Sequence, residues 1–106
     1  MSGICSGRVV IVTGAGGGLG AAHARTLAQE GACVLVNDIN FDAAQAVVDS
    51  ISAAGGQAVV NRSDITDYAS AAQAVEQAID TYGGLHGVVN NAGNNRDRMF
   101  ASLSEA

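Results

Sequence analysis

The run Arg8-Val9-Val10-Ile11-Val12-Thr13-Gly14-Ala15-Gly16-Gly17-Gly18-Leu19-Gly20 constrains the fold more than any other part of the chain. Its first half is a β-branched stretch, the mark of a strand covered on both faces. Its second half places five glycines in seven residues, from Gly14 to Gly20. A strand that passes through such a loop into a helix presents backbone N–H groups at the positive end of a helix dipole. An anion such as a pyrophosphate is held there. Glycine serves where the chain turns tightly or where a Cβ would stand in the anion's place.

From this point strand and helix alternate. Residues 18–30 read as a helix closed by Gly31 in the left-handed conformation. Residues 33–36 read as a second buried strand. Asn40 can cap the next helix, whose stripe of Ala43, Ala44, Val47, Val48 and Ile51 has helical spacing and stops at Gly55-Gly56. Residues 58–60 form a short third strand. Thr66 or Asp67 can cap a third helix with Tyr68, Ala72, Val75, Ile79 and Tyr82 on one face, ended by Gly83-Gly84. Residues 86–89 form a fourth strand that leads into Asn90-Asn91-Ala92-Gly93. Serial βαβ units predict an α/β fold with a parallel, doubly wound sheet.

Composition narrows the function classes. With 48% hydrophobic and 14% charged residues, the 106-residue chain reads as folded, and as one domain or part of one. A formal charge of −5 argues against nucleic acid and anionic membrane surfaces as partners. No apolar run is long enough to span a bilayer. Residues 1–7 lack the parts of a signal peptide, and Cys5 and Cys33 match no metal-ligand spacing. The expectation is a cytoplasmic protein with free thiols, Cys33 buried. His23 reads as a packed structural histidine and Arg96-Asp97-Arg98 as a solvated loop.

The spacing Thr13-Gly14-x-x-x-Gly18-x-Gly20 differs from the G-x-G-x-x-G dinucleotide fingerprint. It resembles the short-chain dehydrogenase/reductase family instead. Asp38 after the second strand, Asp64-Ile65 after the third and Val89-Asn90-Asn91-Ala92-Gly93 at the fourth strengthen the resemblance, which extends from about Gly7 to the chain's end. Each lies at the carboxyl end of a strand, where open α/β sheets bind ligands. The resemblance implies a Rossmann-type sheet in the order 3-2-1-4. It also implies roles. Gly14, Gly18 and Gly20 shape the pyrophosphate loop, and Gly16, Gly17 and Leu19 lie along the cofactor. Asp38 accepts from the adenosine ribose, with Ile39 beside it. Asp64 accepts from the adenine amino group, with Ile65 nearby. Asn90, Ala92 and Gly93 line the path to nicotinamide, and Asn91 ties strands together. A carboxylate at position 38 repels a 2′-phosphate, and Gly16, Gly17, Ile39 and Asn40 offer no cation to bind one. NAD is therefore expected over NADP. Asp38 can also be read as a solvated loop carboxylate, Asp64 as a turn cap, and Asn90 and Asn91 as turn residues. His86 stands where the family often has an aspartate, which puts a local hydrogen bond in question. Weaker subgroup features, Arg96-Asp97 and Val36-Asn37-Asp38, resemble members acting on 3-oxoacyl or 3-hydroxyacyl thioesters.

The family transfers hydride between nicotinamide and a secondary alcohol or ketone, using a serine and a Tyr-x-x-x-Lys pair. All five basic residues here are arginine, and Tyr68 and Tyr82 are followed four residues later by Ala72 and His86. No catalytic residue is assigned. Ser104-Glu105 resembles a helix start with no helix behind it. Residues 1–106 therefore read as the N-terminal, incomplete part of a single NAD(P)-binding Rossmann domain, truncated after the fourth strand. The 106-residue chain alone is expected to be inactive and to leave that strand as an apolar edge; the full-length protein is expected to form a homo-oligomer. The rival readings are a non-catalytic dinucleotide-binding fragment or regulatory remnant, and a methyltransferase, against which the glycine spacing and Asn-Asn-Ala-Gly element speak.

Overall fold

A computed structural model describes residues 7–64 and 67–90, with the side chain of Asn90 excepted. The elements run β1 (Val9–Thr13), α1 (Gly18–Gln29), β2 (Cys33–Asn37), α2 (Phe41–Ala53), β3 (Gln57–Asn61), α3 (Tyr68–Tyr82) and β4 (Gly87–Asn90). The four strands form one parallel sheet in the order β3-β2-β1-β4. This is a Rossmann-type, doubly wound arrangement, as the alternating pattern predicts.

Strand residues alternate between faces, and each face has its own core. Val10, Val12, Val34 and Val36 meet Ala21, Ala24 and Ala28 of α1 and Ala44, Val47, Val48 and Ile51 of α2. Val9, Ile11 and Leu35 meet Ala71, Ala74, Val75 and Ala78 of α3. Ile11 and Leu35 are completely buried, which stabilises the fold by about 1.5–3 kcal/mol for each side chain. Alanines on the helix faces let the helices lie close to the β-branched sheet.

The helix ends follow the local chemistry. Asn40 caps α2 by accepting from the Ala43 N–H, and Asp67 caps α3 by accepting from the Ser70 N–H. Gly31 and Gly83 follow α1 and α3 at φ 98° and 87°.

The side of α3 that meets the sheet overlaps the expected stripe only in part: Val75 is buried and Tyr82 packs against the core. Tyr68 and Ile79 are half exposed, and Ala71, Ala74, Val75 and Ala78 are buried. Tyr68 and Ile79 share the helical period of that stripe, but the alanine side turns toward the strands and lets the helix approach them. Cys33 is half-buried rather than enclosed. The fourth strand begins at Gly87, because His86 is engaged differently. Its N–H donates to Val9 O and its Nδ1 accepts from the Val9 N–H, both at 2.8 Å. The imidazole thus supplies the acceptor that the resemblance put in question.

Candidate functional site

The loop between β1 and α1 has a specific backbone shape. Gly14 and Gly18 sit at φ 60° and 56°, in the left-handed region that favours glycine. Gly16 is required by crowding instead: a Cβ there would lie 2.8 Å from Asp38 Oδ2 and 2.9 Å from Ala43 Cβ. Gly20 is buried on α1, and Gly17, Gly18 and Leu19 are exposed. α1 starts with no side-chain cap and no acidic residue in its first turn, whereas Asn40 and Asp67 cap α2 and α3. The α1 N-terminus therefore presents main-chain donors and positive dipole charge with no acidic residue in its first turn.

Asp38 stands directly behind that loop. Its Oδ2 accepts from the Gly16 N–H at 2.9 Å, and its Oδ1 accepts from the Asn40 N–H at 2.9 Å. Each carboxylate oxygen offers about two acceptor sites, so the braced group keeps capacity for further donors such as sugar hydroxyls. Its main-chain N–H donates to Asn61 O at 3.1 Å, which ties the residue to β3. Ile39 is 75% exposed and Leu19 66% exposed, so two apolar side chains flank the carboxyl end of the sheet without packing into the core.

One cation near this end escaped the sequence reading. The Arg62 guanidinium lies 5.1 Å from the centre of the Phe41 ring, a distance that suits cation–π attraction. Phe41 begins α2, three residues after Asp38, so the strand pairing brings in a basic residue that the neighbours of Asp38 do not show.

The remaining expected positions divide into two groups. Asp64 is exposed after β3, and its main-chain oxygen accepts from the Asp67 N–H at 3.1 Å. Asn90 closes β4 in register with Thr13 of β1. Ile65, Asn91, Ala92 and Gly93 lie outside the described residues. Parallel pairing thus brings the glycine loop, Asp38, Asp64 and the Asn90 backbone to the carboxyl ends of adjacent strands.

Sequence reasoning missed the row beneath these loops. Thr13, Asn37 and Asn61 are the last residues of β1, β2 and β3 and pair in register across the sheet. All three are polar and buried, at 0%, 2% and 5% exposure. The available signal was a polar residue following the apolar run of each strand, in VVIVT, CVLVN and QAVVN.

The opposite end of the sheet has different chemistry. A groove of about 600 Å³ there is lined by Arg25, Gln29, Ser50, Gly55 and Gln57, among others. The C-termini of α1 and α2 bound it, so the negative ends of two helix dipoles face it, the wrong polarity for phosphate. Tyr82 also lies toward this end. Burial, and then Cys33, push its phenol above the ordinary 10.0, making it a still weaker acid at neutral pH.

The short chain dehydrogenase family model matches residues 8–106. The chain is 46% identical over 93 residues to a cyclohexanol dehydrogenase from Acinetobacter sp. (strain SE19), covering 88% of this chain and 37% of that protein. A short chain dehydrogenase from Mycobacterium avium superposes with TM-score 0.82 at 53% identity, covering 87% of this chain and 36% of that one. A 7α-hydroxysteroid dehydrogenase solved with NADH and 7-oxo glycochenodeoxycholic acid superposes with TM-score 0.81 at 46% identity, over 84% of this chain and 35% of that one. The chain thus spans little more than a third of the length of these proteins. With its glycine loop and sheet order, this match establishes that the chain belongs to the short-chain dehydrogenase family.

Proposed function

We propose that the chain is the cofactor-binding part of an NAD-dependent oxidoreductase, one that moves hydride between nicotinamide and a secondary alcohol or ketone. The observation that carries this reading is the Asp38 carboxylate, braced by the Gly16 and Asn40 N–H groups beside the open α1 N-terminus. A ribose with free 2′- and 3′-hydroxyls can donate to it. A 2′-phosphate would bring like charges together at the same place, so NAD is favoured over NADP. The structure neighbour complexed with NADH supports the cofactor class. Bound nicotinamide would supply or accept the hydride.

In this reading Gly14, Gly16, Gly17, Gly18, Leu19 and Gly20 hold the pyrophosphate stretch, and Asp38 and Ile39 the ribose. Asp64 and Ile65 take the adenine, and Asn90, Ala92 and Gly93 the path to nicotinamide. Residues 1–106 form the N-terminal part of one Rossmann domain. A 3-hydroxyacyl or 3-oxoacyl thioester is a candidate substrate. A non-catalytic dinucleotide-binding module is the second reading, because the glycine loop and Asp38 would bind a dinucleotide whether or not a reaction follows. Among the described residues no helix is long and apolar enough to cross a membrane.

The test is fluorescence titration with NADH and NADPH. Saturable, NADH-selective binding supports the reading. Binding that favours NADPH, or no binding by a folded protein, overturns it. Turnover of a secondary alcohol by the full-length protein separates the enzyme from the non-catalytic module.

A further inference from the structure

The buried row at the carboxyl end contains a directed chain of side-chain amides. Asn37 Nδ2 donates to Asn61 Oδ1 at 2.6 Å, Asn61 Nδ2 donates to Gln77 Oε1 at 2.7 Å, and Gln77 Nε2 donates to Val60 O at 2.9 Å. It joins β2, β3 and α3 in one direction, so each amide has a defined orientation. The chain also grips the loop that follows β3. Ser63 O accepts from Asn37 Nδ2 at 3.1 Å, and the Ser63 N–H donates to Asn61 Oδ1 at 3.1 Å. Both main-chain polar groups of Ser63 are therefore held by buried asparagines. The next residue is Asp64. On the other side, the main-chain oxygen of Asn37 accepts from the Ala15 N–H at 2.9 Å, which connects the chain to the glycine loop.

A fold needs no such arrangement merely to be stable. Apolar residues of similar size at buried sites avoid the desolvation of amides altogether. What a bonded amide chain adds is geometry, because each amide is held in one orientation by its partners.

We propose that Asn37, Asn61 and Gln77 are positioning residues for base recognition: they set the Ser63–Asp64 main chain so that the Asp64 carboxylate discriminates adenine from other purines. The inference rests on the reading above, in which Asp64 faces the adenine amino group. Hypoxanthine carries a carbonyl oxygen at that place, so the carboxylate loses the exocyclic N–H donor and meets an acceptor instead, with the ring N1–H one atom away.

The test compares NADH with its reduced analogue carrying hypoxanthine in place of adenine, titrated by fluorescence into the full-length protein. The wild type binds NADH more tightly. Asn61→Leu removes the hub and lowers this base preference by about tenfold. Gln77→Leu, at a half-buried helix position, lowers it by about threefold. The preference of NADH over NADPH, set at Asp38, stays as in the wild type for both variants. This split separates positioning from general loss of structure, which would lower both preferences together. If Asn61→Leu does not fold, Gln77→Leu decides the question. Folded variants that keep the wild-type base preference overturn the proposal. So does a wild type that binds NADH and its hypoxanthine analogue equally, and both of these outcomes leave the NAD reading standing. A folded wild type that binds neither dinucleotide overturns the NAD reading and this inference with it.

Discussion

The two ends of one sheet are built from different materials. At the carboxyl end, the strands finish in Thr13, Asn37 and Asn61, all buried and polar, under the glycine loop and Asp38. At the amino end, chain reversals at Gly31 and Gly55, with φ 98° and 89°, and the His86–Val9 pairing close the fold. Between them lie the strand interiors, apolar on both faces. The middle supplies stability through burial. The carboxyl end holds buried polar groups in set orientations, which serves recognition more than stability. Changes at the carboxyl end should therefore alter which nucleotide binds, and changes at the amino end should alter stability and leave the choice of nucleotide alone.

Gly16→Val should have the largest effect. The added side chain starts 2.8 Å from Asp38 Oδ2, so the loop and the carboxylate must separate. NADH binding should weaken by about a hundredfold or more in a titration, as expected when several contacts are lost together. Near-normal affinity would mean that the loop is not at the cofactor.

Asp38→Ala comes next. It should weaken NADH binding by about ten- to a hundredfold, the worth of hydrogen bonds to a charged acceptor. It should leave NADPH binding less affected, because the repelling charge is gone. An unchanged ratio of the two dissociation constants would remove Asp38 from the ribose.

At the amino end, Gly56→Ala puts a Cβ 2.8 Å from Ile51 Cγ2 and 3.3 Å from Ala28 Cβ. Overpacking should cost about 1–3 kcal/mol in urea unfolding, with the NADH-to-NADPH preference unchanged. A shifted preference would break the division between the two ends. His86→Ala should cost about 1 kcal/mol, because the Val9 N–H loses its acceptor. His86→Asp should recover most of that loss.

Tyr82→Phe should have the smallest effect and only in alkali. The folded-state pKa of Tyr82 is raised above 10.0, first by burial and then by Cys33. The folded protein therefore holds this proton more tightly than the unfolded chain. The group's contribution is intact below pH 10 and is lost as pH rises through the folded value. Urea midpoints at pH 8 should match for the two proteins, and above pH 10 the variant should lose less stability. Parallel losses would exclude Tyr82 as the source.

Much of this was legible in the sequence because the signals are local. The β-branched run Val9–Val12, the glycines behind it and the Asn40 cap act through their own backbone or that of near neighbours. The inner side of α3 was only partly legible. Tyr68 and Ile79 share the apolar spacing of Val75 and Tyr82, yet the distance to the sheet selects Ala71, Ala74 and Ala78 beside Val75. The cation at Arg62 and the acceptor role of His86 were hidden for a related reason. Their partners, Phe41 and Val9, are remote in sequence and are brought near by strand pairing.

The sequence by itself determined the order of strands and helices, the parallel sheet and the glycine loop that opens α1. Those features follow from periodicity, β-branching and backbone freedom, which are properties of neighbouring residues. Only the tertiary structure decided that Asp38 is braced by the Gly16 N–H, and that Asn37, Asn61 and Gln77 form one bonded chain gripping Ser63. A hydrogen bond depends on ångström-scale distance and direction between groups, and residues 16 to 26 positions apart acquire both only when the sheet assembles.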